Sequence, residues 1–370
     1  MYRVSSTGLL PVLEVDGRII RESVDICQFA NYFANSRYPQ LARLMYPDKE
    51  DPLHPVAERL LGLERDLFRD FFIYVFEGPE PRGQEAFLST LGQVEAALGA
   101  YPDSGPWFLP GAEPSAVDCI FAPKVERVVA ACLYWKGLEL RDRAAYPHLA
   151  RWLDALDARP SFAFAKSDLY TLVTAMEPLF GRAFAVHTPE AQALRARIDG
   201  AAPNSWRLPI SPDEAALEPP PPGAGAFPTD EYARQAAAVR LVINHKRLPA
   251  YMLRALGTPG PEYRSVLADP LNEGADERFA PAIDAAYRYL VLALLRGPAA
   301  VAPLLRADRL SADVAYQAKE GAGKDPAAAR ARVVACLEYL RERISVPRDM
   351  TLAEARQLRA HLNWLADELR

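Results

Sequence analysis

Cysteine is scarce in this 370-residue chain and falls into no pattern. Cys27, Cys119, Cys132 and Cys336 are the only four. They form neither a Cys-x-x-Cys pair nor a Cys/His ligand spacing, which removes the usual signatures of zinc sites and redox dithiols. Each falls in an apolar helical pattern, so buried free thiols in a reducing compartment are the expectation. His148 and His361 have no partner at ligand spacing, and no metal is expected. Basic charge is not in excess either. A formal net charge of -5 lacks the electrostatic footprint of a nucleic-acid or anionic-membrane binder. No apolar run approaches the roughly 20 residues of a membrane span. Residues 1–20 lack the basic-then-apolar layout of a secretory leader. A soluble, cytoplasmic chain is expected, with a plastid left open.

Proline, by contrast, is abundant and clustered. Eight prolines fall between Pro203 and Pro228, four of them consecutive at Pro219–Pro222. That composition predicts a polyproline-prone, semi-rigid linker or surface wrap over residues 169–228, after one or two short helices within Leu169–Arg197.

Two apolar runs open the chain around an Asp-Gly pair: Val12, Leu13 and Val15 before Asp16-Gly17, Ile19-Ile20 after it. This is a strong short-range signal for a β-hairpin. Arg21-Glu22-Ser23 leads into a helix with Ile26, Phe29 and Phe33 along one face. A two-stranded unit is marginal by itself, so residues 1–38 are expected to need further support. Helical faces follow at three- and four-residue steps. They are Val56, Leu60, Leu63, Leu67, Phe71 and Val75; then Phe87, Leu91, Val94 and Leu98; then Val117, Phe121, Val125, Val128 and Cys132; then Leu149, Leu153 and Leu156. Ser115-Ala-Val-Asp118 reads as a capping box that opens the third of these, and Pro123 is expected to bend it. Beyond the linker, stripes at Tyr232, Ala236, Val239 and Ile243, at Phe279–Leu294 and at Val333–Ile344 predict three more helices. A last one is capped by Thr351-x-x-Glu354 and buries Ala355, Leu358, Leu362, Leu365 and Leu369. Four such helices suggest a separate all-α bundle over residues 229–370.

Leu10-Pro11 before a strand, a Gly-turn hairpin and Glu22-Ser23 opening a helix resemble the second half of the thioredoxin-like domain of glutathione transferases. Trp107–Pro123, with its Gly loop, Ser-x-x-Asp cap and apolar helix, resembles the helical domain of the same family. So does Ala145–Trp152 followed by Ala158-Arg-Pro-Ser161. Phe121-Ala-Pro123 and Glu126-Arg127 point to the omega-like or plant and algal branch. The resemblance runs from about residue 8 to residue 168. The fold expected from it is mainly α, in four parts. They are a partial thioredoxin-like domain (1–38), an all-α transferase C-terminal-like domain (50–168), the Pro-rich linker (169–228) and an all-α extension (229–370).

The resemblance implies glutathione as co-substrate. Ser23 and the free amides of its helix start would take the γ-glutamyl carboxylate, and Glu22 the ammonium. A cis Pro11 would turn the Leu10 backbone toward the cysteine moiety; cis is the state of only about 5–6% of X-Pro bonds. The resemblance makes Phe72, Phe76, Arg127 and Tyr134, with Tyr74, candidates for the acceptor site, although an aromatic stripe there is more often core. A thiol of pKa about 8.5 is only about 3% thiolate at pH 7, and lowering it two units takes about 2.7 kcal/mol. In the family the group responsible follows the first strand, which the resemblance would put before Met1. Cys27 is expected to be a packed thiol rather than a substitute, and Tyr2 lies too near the terminus. Two functions follow. One is glutathione transfer to, or reduction of, electrophiles, as in detoxification, in an intact form of the protein. The other is a non-catalytic binding or scaffold protein that meets a partner, or a second copy, through residues 229–370. Asn244-His245-Lys246-Arg247 is expected to be a solvated helix end.

Overall fold

The computed structural model describes residues 10–38, 46–78, 81–212, 217–218, 229–259, 271–273, 275–307 and 326–370. Tyr2 and the four consecutive prolines lie outside them. The protein is mainly α, with fourteen α-helices and two short two-stranded sheets among the described residues. Contacts divide it into two compact units, residues 1–132 with 138–156, and residues 133–137 with 157–370.

In the first unit, β1 (Val12–Val15) pairs antiparallel with β2 (Arg18–Arg21), Val12 opposite Arg21 and Val15 opposite Arg18. Asp16 and Gly17 turn the chain at φ 49° and 76°. Both central residues of a two-residue turn of this hand need positive φ, which the Asp-Gly pair supplies most readily. Helix α1 (Ser23–Arg37) lies against both strands and buries none of its residues.

Helices α2 (His54–Phe72), α3 (Pro81–Leu98), α4 (Ala116–Ala131) and α5 (Pro147–Asp157) make the core of this unit. The expected faces are the buried ones. Leu60, Leu67, Phe71 and Val75 pack with Phe87, Leu91, Val94 and Leu98, and with Val117, Phe121, Val125, Val128, Leu149, Leu153 and Leu156. Asp118 fixes the start of α4. Its buried carboxylate accepts from Ser115 N (2.7 Å), Ser115 Oγ (2.6 Å), Phe108 N (3.1 Å) and Trp152 Nε1 (2.8 Å). One side chain thus caps a helix, ties down the preceding loop and orients the largest ring of α5. Pro123 sits inside α4 without ending it. Both α2 and α4 run on into π-helical turns, Ile73–Glu77 and Cys132–Lys136.

The second unit holds α6 (Pro160–Ala165), α7 (Leu169–Phe180) and α8 (Pro189–Ile198). It continues with α9 (Asp230–Ile243), α10 (Leu248–Met252), β3 (Thr258–Pro259) and β4 (Leu271–Glu273). It ends with α11 (Ala280–Arg296), α12 (Pro298–Ala307), α13 (Pro326–Arg341) and α14 (Leu352–Leu369). Helix α14 is its centre, capped as expected by Thr351 and Glu354. Its apolar face (Ala355, Leu358, Leu362, Leu365) joins Ile283, Leu290 and Leu294 of α11 and Val333, Leu337 and Leu340 of α13.

The other side of α14 is buried too. There Arg359 is ion-paired to Asp168 at 2.6 Å, donates to Ile344 O at 2.8 Å, and lies 4.9 Å from the ring centres of both Tyr170 and Trp206. Asn363 donates to Trp206 O (2.9 Å), and Val346 N to Thr171 Oγ1 (3.1 Å). Residues 168–206 are thereby held to the C-terminal helices by buried side chains. Gly200 (φ 71°) lies so close to Trp206 that an added Cβ would fall 2.2 Å from its ring. Glycine is required there on both counts.

Two expectations are corrected. Cys132 and Cys336 are buried, but Cys27 and Cys119 are exposed. Helix α1 has no buried face for Cys27 to join, and Cys119 sits on the side of α4 away from Val117, Phe121 and Val125. On α9 the face that packs is Ala233, Ala237, Ala238 and Leu241, not the predicted stripe of Tyr232, Ala236, Val239 and Ile243. The helix carries two apolar faces, and the smaller side chains allow the close approach to α11 and α14.

Candidate functional site

Leu10, Pro11, Glu22 and Ser23 flank the open end of the hairpin. Val12 and Arg21 are opposite each other in the ladder. Leu10 and Pro11 precede the first of these strand residues in the chain, and Glu22 and Ser23 follow the second. The Leu10–Pro11 peptide is cis. All four residues are exposed at the open end of the hairpin, where α1 starts.

Glu22 is the N-cap of α1, at φ 68° and ψ 126°, and its side chain makes no capping hydrogen bond. A non-glycine residue at such a φ sits in a sparsely populated region that costs of order 1–3 kcal/mol. Ordinary N-caps are extended and use a side-chain oxygen to satisfy the first amides. Glu22 does neither. Its carbonyl accepts from Ile26 N at 3.1 Å, and the carboxylate is left on the solvent side. Ser23 follows at the first helical position, so its hydroxyl stands beside the unpaired amides and positive dipole end of a 15-residue helix. The arrangement offers an acceptor carboxylate next to a cluster of donors. It suits a zwitterionic head group, ammonium to Glu22 and carboxylate to Ser23.

Of the predicted acceptor residues, Phe72, Phe76 and Arg127 fall in the first unit and Tyr134 in the second. The rings of Phe72 and Phe76 meet at a tilt of 34°, with centres 5.5 Å apart, and Phe76 also meets Phe71 edge-on. Phe76 is buried and Phe72 half-buried. Tyr74 stacks on Phe87 at 5.3 Å within the same core, and burial pushes its hydroxyl up to about 12. Arg127 donates to the carbonyl of Pro123 on its own helix. Tyr134 belongs to the second unit, where its hydroxyl donates to both oxygens of Asp199 at 3.0 and 2.9 Å. Burial first, then the Asp199 charge, raises that hydroxyl well above the ordinary tyrosine value.

A cleft that sequence reasoning missed lies between α2 and α3. Its volume is about 550 Å³, and its walls include Val56, Leu60, Leu63, Ala97 and Phe108 with Arg59 at the rim. None of the predicted residues lines it. Among the described residues no group of three or more His, Cys, Asp or Glu could hold a metal. No described helix is long and apolar enough to cross a membrane.

No curated protein matches the chain. Residues 66–155, from the middle of α2 to α5, match the family model described as the glutathione S-transferase C-terminal domain.

Proposed function

We propose that the protein is glutathione transferase-like and binds glutathione at the open end of the hairpin. The γ-glutamyl carboxylate accepts from the Ser23 hydroxyl and the first amides of α1. The γ-glutamyl ammonium donates to Glu22. The backbone of Leu10, beside Pro11, pairs with the cysteine moiety. The family-model match at residues 66–155 supports the choice of glutathione among zwitterionic ligands. The observation that carries the reading is Glu22, held at φ 68° with its carboxylate spent on no contact within the helix cap. Strain of that kind is kept where the surrounding structure gains from it.

The chemistry is that of the glutathione thiol, conjugated to an electrophile or used to reduce one. Glu22, Ser23, Leu10 and Pro11 hold the tripeptide, and none of them is placed to lower the pKa of that thiol. Phe72, Phe76 and Arg127, all in the first unit, are the acceptor-side residues of this reading. The features Phe121-Ala-Pro123 and Glu126-Arg127 align it with the omega-like or plant and algal branch. Residues 1–38, 50–168, 169–228 and 229–370 would be its four parts.

Retention on immobilised glutathione tests the site. The full chain should be retained and eluted by free glutathione, and Ser23→Ala should lose retention. A charge-assisted hydrogen bond of this type is worth roughly 1.5–3 kcal/mol. A chain that is not retained, or is retained equally with Ser23→Ala, would overturn the assignment.

A further inference from the structure

Helix α9 has one more apolar face than its own unit uses. Ala233, Ala237, Ala238 and Leu241 point inward. On the other side Tyr232, Val239, Val242 and Ile243 are 62%, 54%, 51% and 71% exposed, with Ala236 half-buried between them. Residues 232, 235–236, 239 and 242–243 recur at the spacing of a two-helix seam. Single exposed apolar side chains need no explanation, but a row of them along one helix face marks an interaction surface.

The order of side chains along this face selects the occupant. In an antiparallel pair of identical helices about a two-fold axis, residue i lies across from residue j with i + j constant. Put the axis between positions 237 and 238. Tyr232 then faces Ile243 of the second copy, and Ala236 faces its Val239. The larger groups meet at the ends, while the small one lets the helices approach at the centre. Gln235 faces Arg240, and Asp230 faces His245, one residue from Lys246. Moving the axis by half a residue breaks this: Tyr232 then meets Asn244, or Ala236 meets the inward-facing Ala238.

Charge gives the same answer. The acidic pair Asp230 and Glu231 starts the helix, and the basic pair Lys246 and Arg247 follows its end, all four exposed. Antiparallel copies bring opposite signs together. Parallel copies would stack like on like. An anionic bilayer would be repelled at the acidic end.

We propose that α9 is a self-association surface, through which two copies of the chain pair antiparallel across Tyr232, Ala236, Val239 and Ile243. This pairing is independent of glutathione and stands or falls separately from the ligand site.

Sedimentation equilibrium of the full chain tests it. The wild type should form a dimer, and Val239→Glu with Ile243→Glu should weaken association by more than about tenfold, with helix content by circular dichroism unchanged. Asp230→Lys with Glu231→Lys should weaken it less, and adding Lys246→Glu with Arg247→Glu should restore it. A monomeric wild type overturns the proposal. If that monomer binds anionic vesicles and Val239→Glu abolishes the binding, the face belongs to a lipid surface. A dimer unaffected by the Val239 and Ile243 substitutions also overturns it, by putting the interface elsewhere.

Discussion

Helices α1 and α14 reverse what their compositions suggest. Helix α1 carries Val24, Ile26, Phe29, Tyr32 and Phe33 and buries no residue at all. Helix α14 carries Gln357, Arg359, His361 and Asn363 and buries every one of them. The difference lies in partners. Each polar group named on α14 except Gln357 and His361 meets a side chain or carbonyl from another element, and His361 bonds the carbonyl of Gln357 at 2.7 Å. The apolar groups on α1 lie against the two strands of the hairpin and none of them is buried. Polar burial therefore marks the part of the molecule that is built for stability. Exposure with a residue at positive φ is the feature on which the proposed ligand site rests.

The sharpest way to break this contrast is to unpair α14. Arg359→Ala should destabilise the second unit by about 3–5 kcal/mol in chemical denaturation, because it strands the buried Asp168 carboxylate. Arg359→Lys should fail to rescue most of that, since an ammonium neither reaches both acceptors nor stacks between two rings. Next comes acid. Burial holds the His361 imidazole down at about 4, against an ordinary 6.5. Its folded pKa is depressed, so the unfolded chain takes up a proton first as pH falls. The associated stability is present above about pH 6.5 and is lost as pH falls toward 4, by about 3 kcal/mol. In a pH series of denaturation curves, His361→Leu should flatten that slope. The smallest effect belongs to α1. Tyr32→Ser should change stability by less than about 0.5 kcal/mol, since the ring is 73% exposed. A large loss there would mean that α1 is packed after all.

Much of the fold was legible because most helices have one apolar face each. Leu60 to Val75 and Phe87 to Leu98 could be read straight from their spacing, and Asp16-Gly17 announced its turn. Helix α9 could not be read that way, because two faces were apolar and size alone decided which one packed. The burial of Arg359 was hidden for a different reason. Its partners Asp168, Tyr170 and Trp206 lie more than a hundred residues away, and local pattern carries no long-range pairing. The candidate site was half legible. Glu22-Ser23 could be named as a helix start, but the same letters serve an ordinary cap. Only the backbone reveals that Glu22 sits at positive φ without capping, and that the Leu10–Pro11 peptide at the other strand's end is cis.

A calorimetric titration of glutathione into the full chain and its Ser23→Ala and Glu22→Gln variants tests the central claim most directly. Saturable binding should be seen for the parent. Ser23→Ala should weaken it by roughly 10- to 100-fold, in line with the loss of about 1.5–3 kcal/mol, and Glu22→Gln should weaken it less, with thermal stability unchanged in both. No heat of binding to the parent chain, or equal affinity in all three, would contradict the account.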